Sequence, residues 1–368
     1  MFANKRNLLL SALLAVAAGL SHAAAADMNA QVRAKAQQAI DAGIKYLRSR
    51  QAADGSVLAS SGLTALSLRA ILDNPGASGG ADQAVIAKYA AFVASKANAD
   101  GSIVERAHDQ SYNTAVAIDA LAATKDPKYA PLVAAGQKYI VSTQIGESRG
   151  FAPVDSWYGG LGYGGDERPD ISNVYVALDA LRATSYNPND PVWKKALMFV
   201  SRQQNRSESN DQKWAGNDGG FAYSPGGINP SEDTTARIAQ GASYASVTAA
   251  GMYSLLLIGV DKSDPRVQAA YKWLTTNYTL DSNFGTGSKM TLFYYYRAFS
   301  KVMSAYGARE FVDARGQRHN WRNELADKLV SLQNADGSWV NRDANGYWED
   351  KPELATAWAV LTLEQALR

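Results

Sequence analysis

The sequence predicts an all-α fold, in which about six helical hairpins close into a barrel. Three observations lead to this prediction. A short element around Asp-Gly-Ser recurs, a helical-looking segment precedes each copy, and a second, more apolar helix follows it. The clearest copies are Gln51–Ser56 and Gln333–Ser338, and Asn98–Ser102 is a weaker one. Such recurrence is typical of stacked supersecondary units.

One glycine marks each copy of this element, and six markers predict six units. They are Gly55, Gly101, Gly150, Gly219, Gly285 and Gly337, at spacings of 46, 49, 69, 66 and 52 residues. Glycine at such a position permits a tight backbone turn after the first helix of a unit.

The two helices of each unit differ in hydrophobic pattern. Gln31–Arg50 has one apolar stripe with charges beside it, whereas Gly62–Leu72 is apolar on nearly every side. A helix of the second kind must be buried all round, so the second helices are predicted to form an inner ring wrapped by the first ones. The remaining predicted pairs are Gln83–Ala97 with Ser111–Thr124, Tyr129–Gln144 with Ser172–Thr184, Val192–Gln204 with Ala242–Val260, Arg266–Leu280 with Met290–Tyr306, and Trp321–Gln333 with Leu354–Leu367.

The last predicted helix favours closure of the ring. An open solenoid needs polar caps at its ends, and Ala355–Leu361 is almost entirely apolar. We expect residues 27–368 to form a single domain.

The first 26 residues have the pattern of a secretory signal. Lys5 and Arg6 precede the apolar stretch Leu8–Leu20, which small residues follow. The chain has no cysteine, so export without disulfides predicts a bacterial periplasmic or secreted protein. Without Lys5 and Arg6, 37 − 2 = 35 basic residues balance 35 acidic ones. A formal net charge of zero does not favour binding to the phosphates of a nucleic acid, so no nucleic-acid partner is predicted.

The segment Gln333–Trp339, which reads Gln-x-x-Asp-Gly-Ser-Trp, resembles the QW repeat of squalene and hopene cyclases and of protein prenyltransferase β-subunits. The resemblance extends over nearly the whole mature chain and implies an α/α toroid. The repeated Gln, Asp and Trp are interpreted as structural residues, because repeated positions cannot all meet one substrate.

The catalytic motifs of these families are not found in the chain. Hopene-type cyclases protonate an alkene with an Asp-x-Asp-Asp motif, whose nearest counterpart here is the pair Glu232 and Asp233. The prenyltransferases hold zinc with Asp, Cys and His, and this chain has no cysteine, so no metal or other cofactor is predicted. Asp166 and His108 complete the set of candidate catalytic residues.

Aromatic side chains provide the candidate ligand-binding residues. Tyr112, Asn113, Tyr175, Tyr244 and Tyr294 lie in or next to inner helices, and Trp157, Tyr158 and Trp214 lie in the loops that precede them. Aromatic walls suit an isoprenoid, a lipid or another extended small ligand in a central cavity. The alternative is that the rows belong only to the core.

Three functions remain open at this point. The first is an exported binding or scaffold toroid that lacks the standard catalytic motifs. The second is a terpenoid- or lipid-modifying enzyme with a non-standard acid. The third, by analogy of fold, is a polysaccharide lyase or glycosidase.

Overall fold

The computed structural model describes residues 28–74, 80–105, 109–164, 168–225, 241–343 and 347–368. Over these residues the chain forms twelve α-helices, which alternate between an outer and an inner ring. The outer helices are α1 (Ala30–Ser49), α3 (Gly80–Ala94), α5 (Ala130–Thr143), α7 (Pro191–Arg202), α9 (Pro265–Thr276) and α11 (Trp321–Leu332). The inner helices are α2 (Ser61–Asp73), α4 (Gln110–Ala123), α6 (Ile171–Ala183), α8 (Ala245–Ile258), α10 (Leu292–Tyr306) and α12 (Pro352–Leu367).

The shorter elements lie between these helices. Pro127–Tyr129 and Glu147–Arg149 are 3-10 turns. The strands β1 (Phe311–Val312) and β2 (Arg318–His319) form an antiparallel hairpin just before α11, with Phe311 opposite His319.

The inner helices form a closed ring. Each packs against the next, and α12 returns to pack against α2. The outer helix α1 packs against both α11 and α12, so the first and last units are joined in both rings. The expected all-α fold of helical hairpins is therefore confirmed.

Helix boundaries follow from local capping. Asp190 and Asp264 precede the prolines that open α7 and α9, and their carboxylates accept hydrogen bonds from Val192 N–H and Arg266 N–H. α9 ends at Thr276, earlier than predicted, because the side chain of Asn277 donates to the carbonyl of Trp273 at 2.9 Å.

Glutamines at the ends of outer helices link neighbouring units. The amide of Gln333 donates to the carbonyls of Gly337, in its own turn, and of Ala39 in α1, at 3.0 and 2.9 Å. Gln204 makes the same two contacts with Gly219 and Arg266. These bonds hold both turns against the outer helix of the next unit.

The third glycine marker is Gly159, and the prediction of Gly150 was wrong. Gln144 donates to the carbonyls of Gly159 and Val192, both at 3.0 Å. A Cβ on Gly159 would come within 1.8 Å of the carbonyl oxygen of Lys195, whereas a Cβ on Gly150 would meet open space. Both glycines have positive φ, but only Gly159 sits where the backbones touch.

Candidate functional site

Four aromatic side chains meet inside the barrel in the first half of the inner helices. Tyr112, Tyr175, Tyr294 and Trp358, which we call the aromatic layer, come from α4, α6, α10 and α12. The ring of Tyr294 lies 6.2 Å from that of Tyr175 and 5.8 Å from that of Trp358, centroid to centroid. Edge-on and tilted contacts at these distances are favourable. Burial raises the pKa of Tyr175 and Tyr294 well above 10, so both phenols stay protonated at neutral pH.

One to two turns further along, charged side chains cross the barrel. Arg69, Asp119, Asp179 and Lys301, which we call the ionic layer, are each the ninth or tenth residue of α2, α4, α6 and α10. Because each lies about 13 Å along its helix, all four reach the same depth. Tyr253 of α8 lies at this depth as well.

The ionic layer consists of two ion pairs. Arg69 Nη1 lies 2.7 Å from Asp119 Oδ1, and Lys301 Nζ pairs with Asp179 Oδ2. The hydroxyl of Tyr253 donates to Asp179 Oδ1 at 3.2 Å. Burial raises the pKa of Asp119 and lowers that of Lys301, so it favours the neutral form of each group. The charges of their partners, Arg69 and Asp179, act in the opposite direction.

A small cavity separates the two layers. Its volume is about 50 Å³, and residues of both layers line it together with Arg297. One water needs roughly 10–15 Å³ in such a cavity, so this space has room for a few waters or one small molecule. Typical pockets for drug-sized ligands are larger, about 300–1,000 Å³.

The loops at the mouth, where the inner helices begin, interlock around the ring. The first N–H groups of an inner helix have no partner within that helix, and here the loop of the following unit supplies one. The donors and acceptors are Ser61 N–H to Glu105 Oε2, Ser111 N–H to the Tyr163 carbonyl, Ile171 N–H to the Tyr223 carbonyl, Ala245 N–H to the Phe284 carbonyl, and Tyr294 N–H to Glu349 Oε1. In the sixth unit, Glu353 of α12 pairs with Arg50 at the end of α1, at 2.8 Å.

Asp170 caps the third inner helix, α6. Its carboxylate accepts from Asn173 N–H at 2.8 Å, from the Asn173 amide at 2.7 Å and from the Ser172 hydroxyl at 2.6 Å. The side chain is fully buried, and burial raises its pKa.

The structure brings together three of the predicted ligand-binding residues, Tyr112, Tyr175 and Tyr294, all of which line the cavity. Asn113 of α4 lies against α2 instead. Its Oδ1 is so close to Gly62 of α2 that a Cβ on this glycine would come within 2.3 Å of it. Tyr244 is buried under the fifth turn, where a Cβ on Gly285 would lie 2.8 Å from its Cβ.

The three predicted loop aromatics lie away from the cavity. Trp157 stacks on Phe151 with ring centroids 6.1 Å apart. The hydroxyl of Tyr158 donates to Glu147 Oε1 at 2.6 Å. Trp214 packs beneath Gly241, where a Cβ would approach its ring to 3.0 Å.

The four candidate catalytic residues, His108, Asp166, Glu232 and Asp233, lie outside the described residues. Within the described ranges, no group of three or more His, Cys, Asp and Glu side chains is arranged to hold a metal ion. No helix in this part of the chain is long and apolar enough to cross a membrane.

The ionic layer was missed by the sequence-based prediction, although the sequence contains a signal for it. Arg69, Asp119 and Asp179 each stand among apolar neighbours in an inner helix, at the same distance from the helix start. A charge repeated at one depth of a buried ring indicates partners across that ring.

Comparison with solved structures identifies the fold. The chain is similar to the apo structure of the type II terpene cyclase MstE from Scytonema, with a TM-score of 0.56, 10% identity, and coverage of 90% of this chain and 98% of that one. A variant of MstE in complex with merosterolic acid A, its product, gives a TM-score of 0.53 at 10% identity, with coverage of 92% and 98%. No protein-family model and no curated protein matches the sequence. The likeness shows the fold alone, a terpene cyclase-like α/α toroid.

Proposed function

We propose that this protein is an exported toroid that binds a terpenoid or another lipid without cyclising it. The observation that supports this proposal is the division of the barrel interior into an aromatic layer and an ionic layer, with about 50 Å³ between them. An enzyme that folds a terpenoid before cyclisation has to enclose it in an apolar chamber. In the described part of this barrel, two ion pairs lie in the interior beside the aromatic layer.

We place the apolar body of the ligand at the mouth. Four large apolar side chains with 42–78% exposure lie in the loops before inner helices: Leu58, Val154, Phe284 and Trp348. Leu58 and Trp348 have φ of +50° and +62°, a region that side-chain-bearing residues rarely adopt. Strained backbone of this kind is often found at ligand-binding sites. MstE, which has the same fold, holds a terpenoid product, and this supports a terpenoid or lipid ligand here.

The first experiment is native mass spectrometry of the mature protein from its own envelope, followed by organic extraction. We expect a stoichiometric lipid or terpenoid. Titration of the emptied protein with the extracted compound then measures affinity. Trp348→Ala should weaken binding about tenfold, the effect of removing a well-placed aromatic contact. Val312→Ala is the matched control, because Val312 is 53% exposed but lies in β1.

Two results would contradict the proposal. A new product formed from an isoprenoid substrate, and abolished by Glu232→Gln or Asp233→Asn, would indicate an enzyme with a non-standard acid. An empty protein that binds no lipid, but binds or cleaves a polysaccharide, would favour the glycan-active alternative.

Export is part of the same proposal and has its own test. The signal pattern of residues 1–26 supports it. N-terminal sequencing of the protein from a periplasmic fraction should give a start near Ala24 or Asp27. A chain that keeps Met1 and remains in the cytoplasm would contradict export.

A further inference from the structure

The cavity between the two layers has more positive than negative groups around it. Its lining includes three cations, Arg69, Arg297 and Lys301, and two carboxylates, Asp119 and Asp179. Two of the cations pair with the two carboxylates. With all five groups ionised, the lining carries one surplus positive charge.

Arg297 is the cation without a carboxylate partner among the described residues. Its Nη1 donates to the carbonyl of Leu361 at 2.8 Å. Since Arg297 lies four residues before Lys301 in α10, the two side chains lie on the same side of that helix. Arg297 is partly buried, and a positive charge withdrawn from water without a counter-charge is costly, so this arrangement favours an anion.

The charged groups behind the cavity do not remove this surplus. Asp73 pairs with Arg69 at 3.0 Å and with Arg368 at 2.9 Å. Glu364 of α12 is buried, and neither of its carboxyl oxygens has a hydrogen-bond partner. Burial, together with the charge of Asp73, raises the pKa of Glu364 well above 4.5, although Arg368, Arg297 and Arg69 oppose this rise; the net shift favours the neutral carboxyl.

We propose that this cavity binds one small carboxylate anion, held by the guanidinium of Arg297 and the ammonium of Lys301. Its volume of about 50 Å³ corresponds to roughly four water-sized spheres, which is the size of formate or acetate. An arginine fork and a carboxylate also match in geometry. This site differs in place and in ligand from the lipid site at the mouth, so either proposal can fail alone.

A groove at the opposite end of the barrel offers a second source for the same carboxylate. It has a volume of about 800 Å³, and its lining combines Leu256, Leu257, Val260 and Tyr253 with the charged residues Asp261 and Lys262. Tyr253 also contacts the ionic layer through Asp179. A longer acid could therefore lie in the groove with its head group directed past Tyr253 toward Lys301.

The test is titration of the full mature chain with ¹³C-labelled formate and acetate at pH 7 and constant ionic strength, observed by NMR. Octanoate is titrated in parallel, and acetamide is the neutral control. We expect saturable binding of the carboxylates and none of acetamide. At ten times the dissociation constant, acetate should raise the melting temperature by about 2 °C. Tighter binding of octanoate than of acetate would identify a head group entering from the groove, and the reverse would identify a free small anion.

Arg297→Gln should weaken carboxylate binding at least tenfold, because it removes a charged hydrogen-bond donor. Arg33→Gln is the matched control, since Arg33 also donates to a carbonyl of α12, that of Leu367, at 2.8 Å but does not line the cavity. If Arg297→Gln does not fold, Arg297→Lys keeps the charge and should retain weakened binding.

Binding should also decline with rising pH. Burial lowers the pKa of Lys301 below that of an ordinary lysine, so the ammonium loses its proton earlier. Absence of saturable binding by formate, acetate and octanoate would overturn the proposal. Equal binding of acetate and acetamide, or unchanged affinity in Arg297→Gln, would also overturn it.

Discussion

The aromatic layer and the ionic layer lie on the same inner helices, yet they are stabilised in different ways. In the aromatic layer, Tyr175, Tyr294 and Trp358 contact one another ring to ring. In the ionic layer, the side chains of Lys301 and Asp179 keep only 12% and 21% exposure and depend on each other's charge. Loss of one ring removes buried area, whereas loss of one charge leaves its partner uncompensated. We therefore expect the ionic layer to tolerate single substitutions less well.

The largest expected effect comes from Asp179→Ala. This change removes the carboxylate that pairs with Lys301 and accepts from Tyr253. Breaking a buried pair from one side costs about 3–5 kcal/mol, and urea denaturation measures the loss. Asp281→Ala is the control, because Asp281 is 85% exposed in its pair with Lys328, and such surface pairs contribute about 0–1 kcal/mol. Similar costs for both variants would show that this pair of the ionic layer contributes no more than a surface pair.

Replacing both members of the pair sharpens the same comparison. Asp179→Leu combined with Lys301→Met removes both charges of this pair and keeps a similar volume. Apolar replacement of a buried pair is often neutral or stabilising. We expect the double variant to be about 2 kcal/mol or more stable than Asp179→Ala alone. A double variant as unstable as the single one would show that packing, and not charge, sets the cost.

The second prediction concerns the pH dependence of stability, which we attribute to Glu349, a buried acid that is hydrogen-bonded to the backbone of the aromatic layer. Glu349 accepts from Tyr294 N–H at 2.9 Å, and burial raises its pKa from 4.5 to about 7. Between these two values the folded chain keeps a proton that the unfolded chain has lost. Stability should therefore fall as pH rises through this window, by up to about 1.4 kcal/mol per pH unit.

Denaturation of the wild type and of Glu349→Gln at pH 4.5 and pH 7 measures this contribution. The variant should show a flatter dependence. Glu147→Gln is the control, because the hydrogen bonds from Lys195 and Tyr158 hold the pKa of Glu147 at about 2, well below the window. An unchanged slope in Glu349→Gln would mean that other buried acids, such as Asp119, dominate.

The third prediction tests ring contacts within the aromatic layer. Tyr175→Leu keeps an apolar side chain but loses the edge-on contacts with Tyr253 at 5.8 Å and Tyr294 at 6.2 Å. The expected cost is about 1–2 kcal/mol, less than that of Asp179→Ala. Tyr271→Leu, which removes the partly buried stack on Tyr306, should cost less than 1 kcal/mol, a rough estimate for one ring pair near the surface. A cost of Tyr175→Leu larger than that of Asp179→Ala would reverse the order of the two layers.

Sequence periodicity could predict the helices and their closure, because both depend on local patterns. The apolar second helices indicated an inner ring, and the turn glycines indicated the units, although the third marker was misplaced. Gly150 and Gly159 both lie in the long loop before α6, and no local pattern shows which of them meets Lys195 in α7.

The site was harder to predict, because it depends on contacts across the ring. The aromatic residues Tyr112, Tyr175 and Tyr294 were found by their type. The pairs Arg69–Asp119 and Asp179–Lys301 join residues 50 and 122 positions apart. Their pairing follows from the equal depth of the residues in the inner helices, which requires aligned helix starts.

The smallest expected effect separates two tyrosines of α10. The hydroxyl of Tyr294 is buried without a hydrogen-bond partner among the described residues, whereas that of Tyr296 donates to the carbonyl of Leu280. Tyr296→Phe leaves that carbonyl without its donor and should cost about 1–2 kcal/mol. Tyr294→Phe removes no bond and should change stability by less than 0.5 kcal/mol, a rough limit for deleting an unpaired group. Equal losses in urea denaturation would mean that the Tyr294 hydroxyl has a partner, which would add a polar link between the aromatic layer and the cavity it lines.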